Sequence, residues 1–237
     1  MLPELLIGQY NYMALTFGLS HPVGSYVANK NLRTDGFALN GFTADYSGAY
    51  YFMKHFAIAG DLKFTSNGID VNSAENLLKQ EIPLGTYSDT LISYQLGYWK
   101  HVSFLAGPQF TIGAGKFNID LYALAGLSIV MNPTMDVTVI IDNQSYKRTT
   151  SPQYARFGFD VGTAFRYKIN DNYGIRLFMS YFQTSAKGKI QDEVIINTKQ
   201  VDIKSYSTNV CSLNIGIGVV YVLNEDHYQM NNEPSSY

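Results

Sequence analysis

The sequence predicts an all-β fold, an eight-stranded antiparallel up-and-down transmembrane β-barrel, from three observations. Large apolar residues alternate with polar or small ones through most of the chain, which is the period of a β-strand. The connections between these segments are alternately short turns and long polar loops, as in outer-membrane barrels. Only 15% of the residues are charged, and the 19 tyrosines and 14 phenylalanines suit the aromatic girdles of such a barrel.

The alternation is clearest from Phe157 to Phe182, where two strands are predicted around a turn at Ile169–Asn172. One face of both strands carries large apolar and aromatic residues without a charge. The other face carries glycine, alanine, serine and a few charged residues. Because small residues suit a crowded interior and an uncharged apolar face suits lipid, we expect the apolar face to point outward and the polar face to line a lumen.

In chain order, the alternation predicts eight strands. They are Tyr10–Ser20, Phe37–Phe52, Phe56–Ser66, Thr90–Ile112, Phe117–Met131, the two strands of the Phe157–Phe182 hairpin, and Val210–Leu223. The fourth strand keeps one phase throughout, so we expect it to project well beyond the membrane. Long loops are predicted at residues 21–35, 67–87, 132–154 and 186–209, with a short helix over Val71–Gln80 in the second loop.

The composition does not shift along the chain, so we expect one domain. Residues 10–223 are predicted to form the barrel, residues 1–9 a periplasmic N-terminal segment, and residues 224–237 a polar periplasmic tail. An even number of strands puts both termini on the same side, the periplasm. The N-terminus has no basic region and no long apolar core, so we expect that a signal peptide has been removed from this chain.

Charged residues recur on the predicted lumen face. They are Asp45, Asp61, Lys63, Asp120, Asp160, Arg166, Arg176 and, near the hairpin turn, Lys168. The four acids and four bases balance, and buried charges are tolerated when they are paired. We therefore expect a charge network that plugs the lumen, whereas a charged filter would favour a pore. Parity also places Tyr12, Trp99, Phe178 and Phe182 inside, where eight strands leave room for little besides side chains.

The turn at Met53–His55 predicts the register of its two strands. A three-residue loop places Asp45 opposite Lys63, whereas a five-residue loop places Asp45 opposite Asp61. Directly opposed like charges destabilise a sheet. We therefore predict the three-residue loop.

One pair of residues suggests chemistry, because His101 and Ser103 share a face and their His-x-Ser pattern resembles that of barrel-borne lipid A deacylases. A triad also needs a carboxylate to orient the histidine, and the following Gly113–Lys116 stretch offers none. We therefore predict a polar lumen pair and no catalytic residue. Cys211 is the only cysteine, and no Cys/His cluster has metal-ligand spacing, so no disulfide, metal or cofactor is expected.

Several stretches resemble the small OmpA/OmpX-like outer-membrane barrels of Bacteroidota. They are Leu105–Phe110, Leu121–Gly126, His21–Gly24 and the closing run NIGIGVVYV. The resemblance covers residues 10–223 and implies an eight-stranded barrel in the outer membrane of a Gram-negative bacterium, in contact with outer-membrane lipid and lipopolysaccharide. The chain departs from the usual outer-membrane pattern because its last strand does not end on an aromatic residue.

Three functional hypotheses follow. The first is a closed, non-enzymatic barrel that acts as a structural or interaction component, for example as an accessory subunit of a larger outer-membrane complex. The alternative is a narrow pore for small solutes, and the third is a lipid A-modifying enzyme. A lumen filled by side chains favours the first. The net charge of −2 gives no indication of a nucleic-acid partner.

Overall fold

The computed structural model describes residues 10–81, 91–133, 135–141, 144–150, 153–196 and 198–223. The N-terminal segment 1–9, the tail 224–237 and residues 82–90, which include the end of the second predicted loop and the first residue of the fourth predicted strand, lie outside these ranges. The described strands are β1 (Asn11–Pro22), β2 (Ala38–Tyr51), β3 (Phe56–Ile69), β4 (Leu91–Leu96), β5 (Trp99–Ala114), β6 (Phe117–Met131), β7 (Met135–Ile141), β8 (Gln144–Thr150), β9 (Gln153–Lys168), β10 (Tyr173–Ile196) and β11 (Thr198–Leu223). A 3-10 turn spans Gly24–Tyr26, and helix α1 spans Val71–Glu81, as predicted.

Eight of these strands close into a ring in the order β1, β2, β3, β5, β6, β9, β10 and β11, and β11 pairs back with β1. Every neighbouring pair in the ring is antiparallel. This arrangement confirms the predicted eight-stranded up-and-down barrel. Closure leaves no unpaired edge within the ring.

The two faces of the barrel wall differ as predicted. Phe17 is 59% exposed on the outside, whereas its neighbour Thr16 is fully buried inside. The same contrast separates Phe165 from Ala164 on β9. Soluble monomers rarely expose so large an apolar surface, and a band of this kind matches the lipid-facing wall of a transmembrane barrel.

No helix within the described ranges combines the length and the apolar character needed to cross a membrane.

Three tight connections lie at one end of the barrel, which we call the turn end. They join β2 to β3, β5 to β6 and β9 to β10, and the outer ends of β1 and β11 lie at the same end. Gly115 has a φ of +62° in the β5–β6 turn, a conformation that glycine adopts without strain. The predicted register of the first turn is confirmed, because Asp45 lies opposite Lys63.

The prediction of one continuous strand over Thr90–Ile112 is wrong, since Gly97 and Tyr98 separate β4 from β5. The phase is nevertheless kept: Leu96 pairs with Met135 and Lys100 pairs with Met131, so β4 meets β7 in the register in which β5 meets β6. The predicted loops at 132–154 and 186–209 are also wrong. The first contains β7 and β8, and the second continues as β10 and β11. Cross-strand hydrogen bonds satisfy the backbone there, although the residue pattern alone is weak.

The wall of the barrel therefore extends beyond the eight-stranded ring on one side only. There, β4, β7, β8, β10 and β11 continue beyond the ring as a five-stranded sheet, which we call the loop-end sheet. On the other side β1 and β3 stop at Pro22 and Ile69, where the 23–37 segment and α1 begin.

Candidate functional site in the barrel lumen

A bidentate ion pair occupies the lumen near the turn end. Arg166 on β9 donates from Nε to Asp120 Oδ2 over 2.6 Å and from a terminal nitrogen to Oδ1 over 2.8 Å. The Thr111 hydroxyl donates to the same carboxylate over 2.8 Å. Both charged side chains are buried, and a two-pronged Arg–carboxylate contact is among the strongest hydrogen-bonded pairs in proteins. The pair joins adjacent strands across the interior of the wall.

Aromatic and amide groups complete this layer. The Arg166 guanidinium lies 4.0 Å from the centroid of the Tyr12 ring and donates to the Tyr51 hydroxyl over 2.8 Å. Gln109 accepts from the Tyr12 hydroxyl over 3.0 Å and donates to Tyr51 over 3.0 Å. Side chains from β1, β2, β5, β6 and β9 therefore meet across the lumen.

A second charged layer centres on Lys63. Its ammonium group hydrogen-bonds to Asp160 in a buried ion pair, lies 3.7 Å from Asp61 and donates to the Ser180 hydroxyl over 3.3 Å. The Asp45 carboxylate, which lies opposite Lys63 on β2, accepts from the Thr16 and Thr43 hydroxyls. The ammonium group thus contacts two carboxylates, and a third carboxylate, that of Asp45, belongs to the residue paired with Lys63 on the adjacent strand.

Arg176 lies against this layer and has no ion pair with a carboxylate among the described residues. It donates to the Ser47 hydroxyl over 3.0 Å, and its guanidinium lies 5.8 Å from the ring centroids of both Tyr122 and Phe178. Cations are attracted to aromatic faces at this distance. Arg176 and Phe178 therefore fill the middle of the lumen together.

The candidate catalytic pair is part of the lumen filling. His101 stacks on Phe182 with ring centroids 4.6 Å apart and an interplanar angle of 7°. Ser103 instead shares a hydrogen bond of 2.8 Å with Ser128. The two side chains thus have different partners, and this geometry is not that of a nucleophile held by its base.

A folded-in segment covers the lumen at the loop end. The Trp99 indole N–H donates to the Gly36 carbonyl over 2.7 Å, and the rings of Trp99 and Tyr26 meet edge to face at 5.4 Å. Both belong to a buried apolar cluster. Its members are Tyr26, Ala38, Trp99, Val130, Ala186 and Val210. Burial raises the pKa of the Tyr26 phenol above its usual value. The segment was predicted only as a polar loop, and its large apolar residues were the signal for an inward position.

All seven residues of the predicted lumen network are buried, and the structure divides them between two layers. Lys168 differs, because it lies half-buried at the turn end and pairs with Asp171 over 3.1 Å. Four carboxylates therefore share the described lumen with three cationic side chains, instead of four. The reason is positional: the last residue of β9 is already at the rim. Gln109 and Thr111 were missed by sequence reasoning, although parity along β5 would have placed them inside.

Several buried polar atoms have no hydrogen-bond partner among the described residues. They are Asp61 Oδ1, Asp160 Oδ1, Arg176 Nε, His101 Nε2, Ser212 Oγ and both polar atoms of the Asn214 amide. No group of His, Cys, Asp and Glu side chains in the described chain has the geometry to hold a metal ion. The lumen is thus a filled polar interior with a few unsatisfied groups.

A closed ring, an apolar outer band and a lumen crossed by two charged layers define this chain as an eight-stranded transmembrane β-barrel. No protein-family model and no curated protein matches the sequence. Among solved structures, the chain is similar to the outer-membrane protein OprG from Pseudomonas aeruginosa, with a TM-score of 0.50 and 11% identity, over 92% of this chain and 98% of that one. At this identity the likeness shows the fold alone.

Two other barrels match more loosely. Neisserial surface protein A has a TM-score of 0.44 at 13% identity, over 90% of this chain and 97% of that one. The attachment invasion locus protein Ail of Yersinia pestis has a TM-score of 0.38 at 16% identity, over 90% of this chain and 99% of that one.

Proposed function

We propose that this chain is a closed, non-enzymatic barrel of the outer membrane of a Gram-negative bacterium, which acts as a structural or interaction component. An accessory subunit of a larger outer-membrane complex is one such role. The barrel wall contacts outer-membrane lipid and lipopolysaccharide. The observation that carries the proposal is the filled lumen, because two charged layers and an apolar cluster lie across it in series.

The orientation follows from the two ends of the barrel. The outer ends of β1 and β11 lie beside the tight turns, and outer-membrane barrels place their short turns in the periplasm. Both termini are then periplasmic, and the loop-end sheet, α1 and the 23–37 segment lie outside the cell. Elements held by a rigid scaffold commonly carry binding.

We expect purified protein in planar lipid bilayers to show no steady channel activity. The reason is that Arg166 with Tyr12, and Lys63 with Asp160 and Asp61, place buried side chains across the lumen at two levels, and eight strands leave little room beside them. The measurement is single-channel current under applied voltage, with a known porin inserted in the same bilayer as a positive control.

The narrow pore remains the alternative because, among the described residues, several buried lumen atoms have no hydrogen-bond partner and four lumen carboxylates outnumber three cations. Such a polar interior would conduct if its layers separated. Uniform channels whose conductance changes in Asp160→Ala or Arg176→Ala would establish the pore and refute the closed barrel.

The enzyme hypothesis makes a different prediction. We expect His101→Ala and Ser103→Ala to leave the lipid A acylation pattern of the host membrane unchanged, since His101 stacks on Phe182 and Ser103 hydrogen-bonds to Ser128. Mass spectrometry of extracted lipid A is the measurement, with cells that lack the protein as the reference. A change in the lipid A acylation pattern caused by either substitution would support the enzyme hypothesis.

A further inference from the structure

A small cavity lies at the turn end of the lumen, next to the Arg166–Asp120 pair. Its volume is about 40 Å³, and a cavity needs roughly 10–15 Å³ to hold one water molecule. The space therefore suits a small ion rather than a sugar or a nucleotide. The side chains that define its chemistry are Tyr10, Asn118, Arg166, Lys168, Val220 and Val222.

The strand register separates this cavity from the acidic partner of Arg166. Asn118 on β6 is opposite Arg166, whereas Asp120 is opposite Ala164, two residues further from the turn. The Asp120 carboxylate therefore contacts the guanidinium from the interior of the barrel, and the cavity lies on the side toward the turn. Lys168 is two residues closer to the turn on the same face of β9. No carboxylate of the described chain lines the cavity.

The hydrogen-bond donors of Arg166 are only partly used. Its Nε and one terminal nitrogen donate to Asp120 and Tyr51, whereas the other terminal nitrogen, with two N–H groups, has no acceptor among the described residues. The Arg166 side chain is only 7% exposed, and a buried donor without an acceptor is costly. The Asn118 amide, on the adjacent strand, likewise has no hydrogen bond within the described chain. Both groups indicate a ligand that accepts hydrogen bonds.

Lys168 supplies a second positive charge at the rim of the cavity. Its ammonium group lies 5.2 Å from the centroid of the Tyr10 ring. Its ion pair with Asp171 spans 3.1 Å, but the Asp171 side chain is 87% exposed, and solvent weakens such a pair. Val220 and Val222 are buried and form an apolar wall, and hydrogen bonds to a bound ion are stronger where such a wall excludes water.

We propose that this cavity binds a small oxyanion, a phosphate or carboxylate group, between Arg166, Asn118 and Lys168. Arginine offers its N–H groups to an oxyanion in a fixed fork, and lysine adds a point charge. Exposed tyrosines surround the same end of the barrel, as in the girdle at the level of lipid head groups. They are Tyr167, Tyr173 and Tyr221. The phosphate of a lipid head group and free phosphate therefore offer this cavity the same chemistry.

The test uses the full-length protein in a neutral maltoside detergent, with inorganic phosphate as the probe and isothermal titration calorimetry as the measurement. We expect saturable binding with a Kd in the millimolar range. Lys168→Met and Asn118→Leu should each weaken it at least about fivefold, because each removes a donor to the anion. Lys116→Met removes the same charge from the neighbouring β5–β6 turn, outside the cavity, and should bind as the parent does. The urea midpoint of each variant verifies that the barrel is folded.

A short-chain phosphatidylglycerol, titrated in the same way, distinguishes the two sources. Binding at least about tenfold tighter than that of inorganic phosphate, and weakened by Lys168→Met, identifies a lipid head group as the source. Equal or weaker binding identifies the free anion. The proposal is overturned if neither ligand binds saturably, if Lys168→Met and Asn118→Leu leave binding unchanged, or if Lys116→Met weakens it as much as they do. None of these outcomes alters the expected electrical silence of the barrel, so the two proposals fail separately.

Discussion

Lys63→Met is expected to lower the free energy of unfolding by about 3–5 kcal/mol, the usual cost of leaving a buried charge without its partner. Lys63 is fully buried, and its ammonium group contacts Asp160 and Asp61. Methionine keeps much of the volume but leaves the carboxylates uncompensated. Reversible urea unfolding in detergent or lipid vesicles measures the change. Trp99 is the only tryptophan and is buried at the loop end, so its fluorescence reports the transition.

The matched control is Lys168→Met. Lys168 also pairs with an aspartate, but Asp171 is largely exposed at the turn, and exposed ion pairs contribute at most about 1 kcal/mol. A double variant, Lys63→Met with Asp160→Asn, should regain part of the loss because one uncompensated charge is removed. Equal effects of Lys63→Met and Lys168→Met would show that Lys63 does not hold the central layer together.

The Arg166–Asp120 pair should give the second large effect. We expect Arg166→Met to cost about 3–5 kcal/mol of unfolding free energy, because it leaves the buried Asp120 carboxylate with no cation and only the Thr111 and Tyr12 hydroxyls as donors. Arg166→Lys keeps the charge but loses the two-pronged contact and the stacking on Tyr12, so its cost should fall between those of the parent and Arg166→Met.

A double-mutant cycle separates the pair from its surroundings. With Arg166→Met, Asp120→Asn and the double variant, the coupling energy should reach about 2 kcal/mol, within the range for residues in one buried network. The cycle of Arg166 with Asp160 serves as the reference, since Asp160 belongs to the Lys63 layer, and its coupling should be clearly smaller. Additive losses for Arg166 and Asp120 would mean that the bidentate geometry contributes nothing to stability.

The layering of the lumen charges shows how far the sequence could predict the interior. Parity along each strand placed Asp45, Asp120 and Arg166 inside, because successive residues of a strand point to opposite faces. Parity does not indicate, however, where around the ring a residue lies. The partners of Lys63 include Asp160, which is 97 residues away along the chain. Only the closure of the barrel brings β3 and β9 face to face across the lumen.

By itself, the sequence determined the strand period, the apolar outer face, the ring of eight strands, the tight turns and the Asp45–Lys63 register. These properties follow from short-range patterns, because alternation and turn residues act within a few positions of the chain. The tertiary structure alone decided that Trp99 and Tyr26 close the loop end, and that the predicted loops at 132–154 and 186–209 contain strands. The backbone N–H and C=O groups there hydrogen-bond to a neighbouring strand. Whether that strand lies alongside depends on the whole fold and not on the local sequence.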